Sequence, residues 1–414
     1  MTTTADDRRA EVRALSELGL TEISKASAGV HRTHRAVSDR VFSTLRRGLG
    51  GYVAPVQVMH DAIADGVYTI VTGSTAVAGT VGGRVADLPL DRAPSSTVFG
   101  ANLISMVTGL IGDELEDAQS PLTTHALTIR VDGEPVPATA DGLAAAFPQP
   151  TGRIAVALHG LVETEHAWRL RSDTALPYEH RLQQDCGVTT VFVRYNTGRH
   201  ISANGQDLAE LLDDLVRCWP VPVDDLTLLG HSMGGLVLRS AAHHGTGADQ
   251  QWTRLVRTSI SLGTPHLGAP LENLAHHAAD RLVRFPETAA FGRLLRRRSS
   301  GIRDLRIGAL VDADWSGRDP EALARAAAAE IPLLPGVDHY FVSATLTRNP
   351  RNPAARLLGD GLVLHHSAGG ESSTRRIGFD PANGLHLGRA HHFTLLNDAR
   401  VADALTAWVG PAPR

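Results

Sequence analysis

Cysteine is scarce in this 414-residue chain: Cys186 and Cys218 are the only two, with no CxxC pair and no zinc-type spacing. Two buried free thiols, not a disulfide framework, are the expectation. Lysine is scarcer still. Lys25 stands alone, so arginine carries almost all of the positive charge. The balance of 40 basic against 44 acidic side chains gives a net charge of −4 and no global attraction for nucleic acid. There is no Walker A motif and no GxGxxG after a strand-like run, so no nucleotide cofactor is indicated. The pairs His243-His244, His276-His277 and His365-His366 lack an HExxH frame and carboxylates at metal spacing, so no metal is expected. The N-terminus, MTTTADDRRAEVRALSELGL, lacks the apolar core of a secretory signal, which favours a cytoplasmic protein. No long repeat and no low-complexity tail appears.

Long strongly apolar runs are also missing. The uncharged stretch GVYTIVTGSTAVAGTVGG (66–83) has about the length of a bilayer crossing, but glycine, threonine, serine and alanine dominate it. It reads as a buried helical segment, with peripheral membrane contact as the alternative. ANLISMVTGLIG (101–112) is apolar but too short to span. Residues 1–120 look mostly helical; Val37, Val41, Phe42 and Leu45 share one face at helical spacing.

From residue 124 the texture changes. HALTIRVDGEPVPA alternates β-formers and puts Asp132-Gly133 at the turn of a hairpin. Five apolar runs follow, RIAVALHG, TTVFVRYN, LTLLG, SISLG and YFVSA, separated by helical stretches. That alternation predicts a mostly parallel sheet covered on both faces, an α/β fold entered through an antiparallel hairpin. Between 265 and 335 the pattern loosens into a cap candidate. It would stand over the carboxyl ends of the strands, where open α/β sheets bind ligands.

One turn carries the chemistry. In LTLLGHSMGGLVLRSAAHH (226–244), Ser232 falls between a strand and a helix with glycine at 230, 234 and 235. This is the pattern of a nucleophile elbow, in which a sharp turn exposes a serine hydroxyl above a helix N-terminus. A serine attacks only when a base takes its proton. Asp360, between two glycines after YFVSA, and the neighbours His391 and His392 supply an acid and a base in the expected order. Asp380 is a second choice of acid. The strand-to-loop passage His159-Gly160-Leu161 offers the N–H of Leu161, which would pair with that of Met233 to form an oxyanion hole.

These segments resemble the lipase and esterase branch of the α/β-hydrolase superfamily, in particular actinobacterial esterase/lipase-like proteins of the PGAP1-like group. The resemblance rests on HGL (159–161), RYNTGRHISANG (194–205), GHSMGG (230–235), LGTPHLGAP (262–270), GDGLV (359–363) and HHFTLLNDARV (391–401). It implies an α/β-hydrolase domain over 121–414, a helical extension before it, and Ser232, Asp360 and His392 as the catalytic triad. His392 is favoured over His391 because it directly precedes an apolar residue and xLL. The implied activity is hydrolysis of an acyl ester or lipid-like substrate through an acyl-enzyme. An acyltransferase with the same triad and a silent fold that binds lipid or a partner are the alternatives. Two histidines are weighed as substrate contacts against structural roles: His231 inside the elbow and His266 in TPHLG. Asn196 and Arg199 are weighed in the same way. The arginines of RLLRRRSSGIRDLR (293–306) suit a solvated face or anionic head groups.

Overall fold

The computed structural model describes residues 4–23, 92–124, 127–170, 172, 175–269, 298–318 and 328–411. Eight strands form one sheet: β1 (Thr128–Val131), β2 (Glu134–Val136), β3 (Arg153–Leu158), β4 (Thr189–Arg194), β5 (Asp225–His231), β6 (Val256–Leu262), β7 (Asp338–Thr345) and β8 (Gly384–Gly388). Their order across the sheet is β2-β1-β4-β3-β5-β6-β7-β8. β1 pairs antiparallel with both β2 and β4; every other pairing is parallel. The hairpin turns at Asp132 (φ 50°) and Gly133 (φ 86°), the two positive φ angles that a tight two-residue turn needs. The result is the mostly parallel α/β sheet, entered through an antiparallel hairpin, that the order of strands and helices predicts. The strand at the far edge, β8, is the one that no apolar run announced.

Side chains alternate across the pleat, so β3 feeds two cores. Ile154, Val156 and Leu158 point to one face. There they join Val191, Val193 and Leu228 beneath the helices Ile201–Cys218 and Met233–Gly247. Ala155 and Ala157 point to the other, with Ile260, Leu262 and Val342, beneath Tyr178–Cys186 and Ala399–Val409. Full burial of each large apolar side chain contributes about 1.5–3 kcal/mol, so these two layers hold the sheet. Cys186 and Cys218 are both free thiols, the first buried and the second half-buried.

The N-terminal part is docked onto this domain. Helix α1 (Ala5–Ile23) contributes the buried Glu11, whose carboxylate accepts the Ser95 N–H (2.9 Å) and hydroxyl (2.7 Å). The Ser95 carbonyl in turn accepts from Arg194 on β4, which also pairs with the buried Glu165. Helix α2 (Val98–Asp117) is long and apolar enough to cross a membrane by composition, but 56% of its apolar window is buried inside the protein. It contains the 101–112 stretch and lies against the loops that follow β3 and β4. A Cβ on Gly109 would sit 2.4 Å from Val162, and one on Gly112 would sit 2.1 Å from Asn196. Only glycine permits that approach. The stretch 66–83, the face through Val37 and Leu45, and most of the cap candidate (270–297 and 319–327) lie outside the described residues. Of the cap region, helix α3 (Ser300–Leu305) is described. Gly301 there is pressed against the Thr197 carbonyl and the Met233 side chain, directly over the elbow.

Candidate active site

Strand order, not chain direction, reverses at β3: β4 lies on one side of it and β5 on the other, and β3 and β5 run parallel in register, Leu158 beside Gly230. Loops leaving their carboxyl ends therefore face each other at the switch point where open α/β sheets bind ligands. Ser232 follows β5 at φ 53°, ψ −123°, a conformation that a non-glycine residue adopts only under constraint. The constraint is visible. Ser232 N–H donates to the Leu262 carbonyl of β6 (2.8 Å), and its own carbonyl accepts from Gly235 (3.1 Å). A Cβ on Gly234 would meet the Leu158 carbonyl at 2.5 Å, and one on Gly235 would meet Thr264 Oγ1 at 2.1 Å.

Gly235→Ala is therefore a stability test of the elbow. Helix propensity alone would favour alanine by about 1 kcal/mol. Thr264 is fully buried and cannot retreat, so overpacking wins, and a net loss of about 1–3 kcal/mol is expected. Chemical denaturation measures it; an unchanged or raised midpoint would show that the helix and the Thr264 loop are not tightly apposed.

Asp360 and His392 come together at the same edge, on loops that follow β7 and β8. The His392 ring Nδ1 lies 2.8 Å from Asp360 Oδ2, and the His392 backbone N–H donates to the Asp360 carbonyl (3.1 Å). The other carboxylate oxygen accepts the N–H groups of Leu362 (2.9 Å) and Val363 (2.8 Å), which fixes the carboxyl plane. Both side chains are buried, and His392 Nε2 has no hydrogen-bond partner among the described residues. Gly263, one residue past the carbonyl that holds Ser232, abuts this imidazole: a Cβ there would lie 3.0 Å from His392 Cε1. Burial works to lower the His392 pKa. The Asp360 charge and hydrogen bond, with a further contribution from Glu163, overcome it and raise the value from the ordinary one.

His391 is exposed, and its backbone opens the short 3-10 turn that begins at His392. Asp380 is also exposed; it accepts the Ala382 N–H and caps a surface turn. Gly160 follows β3 and faces the elbow, where a Cβ on it would lie 2.9 Å from Ser232 Cβ, and Leu161 comes next in the chain. The Gly160 N–H is already donated to Glu163 Oε2 (2.7 Å), whereas the Leu161 N–H meets no acceptor among the described residues. Met233 is the first residue of its helix, where a backbone N–H has no intrahelical acceptor.

His231 and His266 are completely buried, each contacted at Nδ1 by a protein group, while Nε2 of each has no hydrogen-bond partner among the described residues. His231 Nδ1 faces Glu163 Oε2 at 2.9 Å. His266 lies beside Arg239 and against Phe379. Asn196 anchors helix α2, donating to the Gly112 carbonyl (2.9 Å) and accepting from Gly198 (3.0 Å). Arg199 pairs with Glu116 of the same helix and with Asp207. Of the 293–306 arginines, Arg303 lies 3.5 Å from Asp113, and 293–297 fall outside the described residues. Among the described residues no group of three His, Cys, Asp or Glu could hold a metal; His276 and His277 lie outside them. A cavity of about 360 Å³ lined by Arg130, Phe147, His166 and Phe192 opens beside the hairpin and contains none of Ser232, Asp360 and His392. Sequence reasoning passed over Glu163. Its only signal was an acid two residues beyond Leu161 in HGLVE.

Residues 149–316 match the family model described as a PGAP1-like alpha/beta domain. The match spans the Gly160 turn and the elbow and ends before Asp360 and His392. No curated protein sequence matches the chain. Similar solved structures include the Bacillus licheniformis lipase BlEst2 in its propeptide form, at 17% identity and a TM-score of 0.41. That alignment covers 64% of this chain and 53% of the other, so the chain spans about half the length of that protein. The mature form of the same lipase aligns at 18% identity and a TM-score of 0.36, covering 63% of this chain and 93% of the other. A metagenomic carboxyl esterase aligns at 16% and 0.35, covering 73% and 90%.

Proposed function

We propose that this chain, an α/β-hydrolase whose residues 149–316 match the PGAP1-like alpha/beta domain, is a serine carboxylic-ester hydrolase that acts on an acyl ester or lipid-like substrate. One observation carries the reading. A buried imidazole, tied through Nδ1 to a buried carboxylate at 2.8 Å, keeps its other nitrogen unpartnered, and its ring packs on that of His231, the residue before a serine held on a strained elbow. Neutral His392, protonated at Nδ1, takes the Ser232 proton on Nε2 as Oγ attacks the ester carbonyl. The tetrahedral oxyanion is held by the N–H groups of Met233 and Leu161; one such donor contributes about 3 kcal/mol to the transition state. His392 then protonates the leaving alcohol. Water, deprotonated by the same imidazole, releases the acid and frees Ser232.

A ladder of p-nitrophenyl esters from acetate to palmitate tests the activity, and its optimum sizes the acyl site. Acyl transfer to added alcohol in preference to water would make the protein an acyltransferase. No hydrolysis of any chain length would leave a silent binding fold. The base must be neutral, so kcat/KM falls as pH drops through the His392 pKa of the free enzyme. That pKa is raised, which puts the midpoint of the acidic limb above 6.5. A profile that stays flat to well below pH 6.5 would remove His392 as the base.

A further inference from the structure

We propose that Glu163 is a positioning residue for this reaction: its carboxylate clamps the oxyanion turn to the nucleophile strand and adds negative charge beside His392. The inference rests on the Ser232–His392–Asp360 reading and deepens it. Glu163 lies on the turn after β3, and Oε2 serves two elements at once. It accepts the Gly160 N–H at 2.7 Å, and it faces Nδ1 of His231, the last residue of β5, at 2.9 Å. The side chain is 9% exposed and that of His231 not at all. A carboxylate that only closed its own turn would stop at Gly160. This one reaches across to the next strand, and the Ser105 hydroxyl of helix α2 holds the Glu163 carbonyl from above.

The positions explain what the clamp controls. Leu161, the first oxyanion donor, directly follows Gly160. Met233, the second, stands two residues after His231. Glu163 therefore grips the chain just before each donor and sets the distance between two peptides that share no backbone hydrogen bond. A misplacement of about 1 Å at such a site can cost on the order of 10²-fold in rate.

The charge has its own consequence. The His231 ring is tilted against that of His392 with centroids 4.7 Å apart, so two carboxylate–imidazole pairs stand side by side. The titratable groups that face His392 are Asp360 from the loop after β7, Glu163 from the turn after β3 and His231 from β5; Gly263 and Phe393 add no charge. Burial works to raise the Glu163 pKa. The charge and hydrogen bond of His231, the Gly160 N–H and His392 outweigh it and hold the carboxyl below its ordinary value, so it is ionised at neutral pH. An anion there favours the His392 imidazolium that forms as Ser232 loses its proton. It also repels the oxyanion, a cost that the Gly160 N–H and His231 offset by occupying the carboxylate.

Glu163→Gln removes the charge and turns both grips, which meet at the single oxygen Oε2, into weaker neutral hydrogen bonds. The expected result is a kcat lower by about 10²-fold with KM within a few-fold of wild type, and an acidic limb displaced to lower pH. Glu163→Asp keeps the charge on a shorter arm. It should lose kcat without displacing the limb, and it carries the test if the glutamine variant does not fold. NMR titration of the His392 imidazole in a Ser232→Ala background reads the same coupling without turnover, and Glu163→Gln should lower its midpoint. Wild-type kcat in both variants and an unchanged His392 midpoint would overturn the proposal. Failure of the hydrolase reading looks different: wild-type protein unreactive toward esters and fluorophosphonates, with the NMR arm still deciding whether Glu163 acts on His392.

Discussion

Replacing Ser232 with alanine should abolish ester turnover, by about six orders of magnitude in kcat where the wild-type rate allows the range to be measured. The size follows from the division of labour at the elbow. His392, oriented by Asp360, serves an Oγ that alanine lacks, and the oxyanion donors serve a tetrahedral intermediate that only its attack creates, so what remains is binding and polarisation without a nucleophile. Stability should change little. The Ser232 backbone bonds to Leu262 and Gly235 do not involve its side chain, and alanine retains the same strained φ. Steady-state hydrolysis together with a thermal melt separates the two effects. A folded Ser232→Ala protein that still hydrolyses esters within tenfold of wild type would mean that another residue attacks.

Asp360→Asn should lower kcat by about 10⁴-fold with KM nearly unchanged. The asparagine carbonyl can still accept the Leu362 and Val363 N–H groups, so the loop keeps its shape. Its amide then points N–H at His392 Nδ1, where the native carboxylate accepts at 2.8 Å. Two donors cannot share that contact. The imidazole must carry its proton on Nε2, which leaves no lone pair for Ser232, and the imidazolium loses its counter-charge. Removing the Asp360 charge also withdraws the principal influence that raises the His392 pKa, so residual activity should extend to lower pH than in wild type. The pH profile of the variant, measured beside its kcat, distinguishes a wrong tautomer from a general loss of folding. Activity within tenfold of wild type would take Asp360 out of the catalytic apparatus.

What the sequence made legible, and what it did not, divides along physical lines. Each of the five apolar runs after the hairpin became a parallel strand, because strands buried on both faces must be continuously apolar. The Asp132-Gly133 hairpin and the strand-turn-helix at Ser232 were visible because both demand unusual backbone angles, and only a few residue patterns satisfy them. The edge strand GLHLG was not. It pairs on one side only, is mostly half-exposed, and has glycine at both ends, so its pairing is set by β7 and not by its own composition. Two adjacent histidines are nearly equivalent in sequence. The turn beginning at His392 buries that ring and leaves His391 at the surface, a distinction that only tertiary packing makes.

The N-terminal region shows the same limit from another side. The apolar face of 101–112 is equally suited to lipid and to protein. What selects protein is the close approach at Gly109 and Gly112, together with Ser299 and Ser300 bonding to the Gly109 carbonyl and the Asp113 carboxylate. Those partners lie nearly two hundred residues away in the chain. Glu163 was hidden for a related reason: its meaning comes from His231, 68 residues later, which a local pattern does not contain.

Site-mapped reaction with a fluorophosphonate tests the central claim most directly. The probe reacts with a serine only when that serine is deprotonated by a neighbouring base and the phosphonyl oxygen is held by oxyanion donors. The expected result is a single adduct on the peptide that contains Ser232, formed more slowly as pH falls through the His392 titration and absent from Ser232→Ala. No adduct on the folded wild-type protein, or an adduct at another residue, would contradict a serine hydrolase built on Ser232, Asp360 and His392.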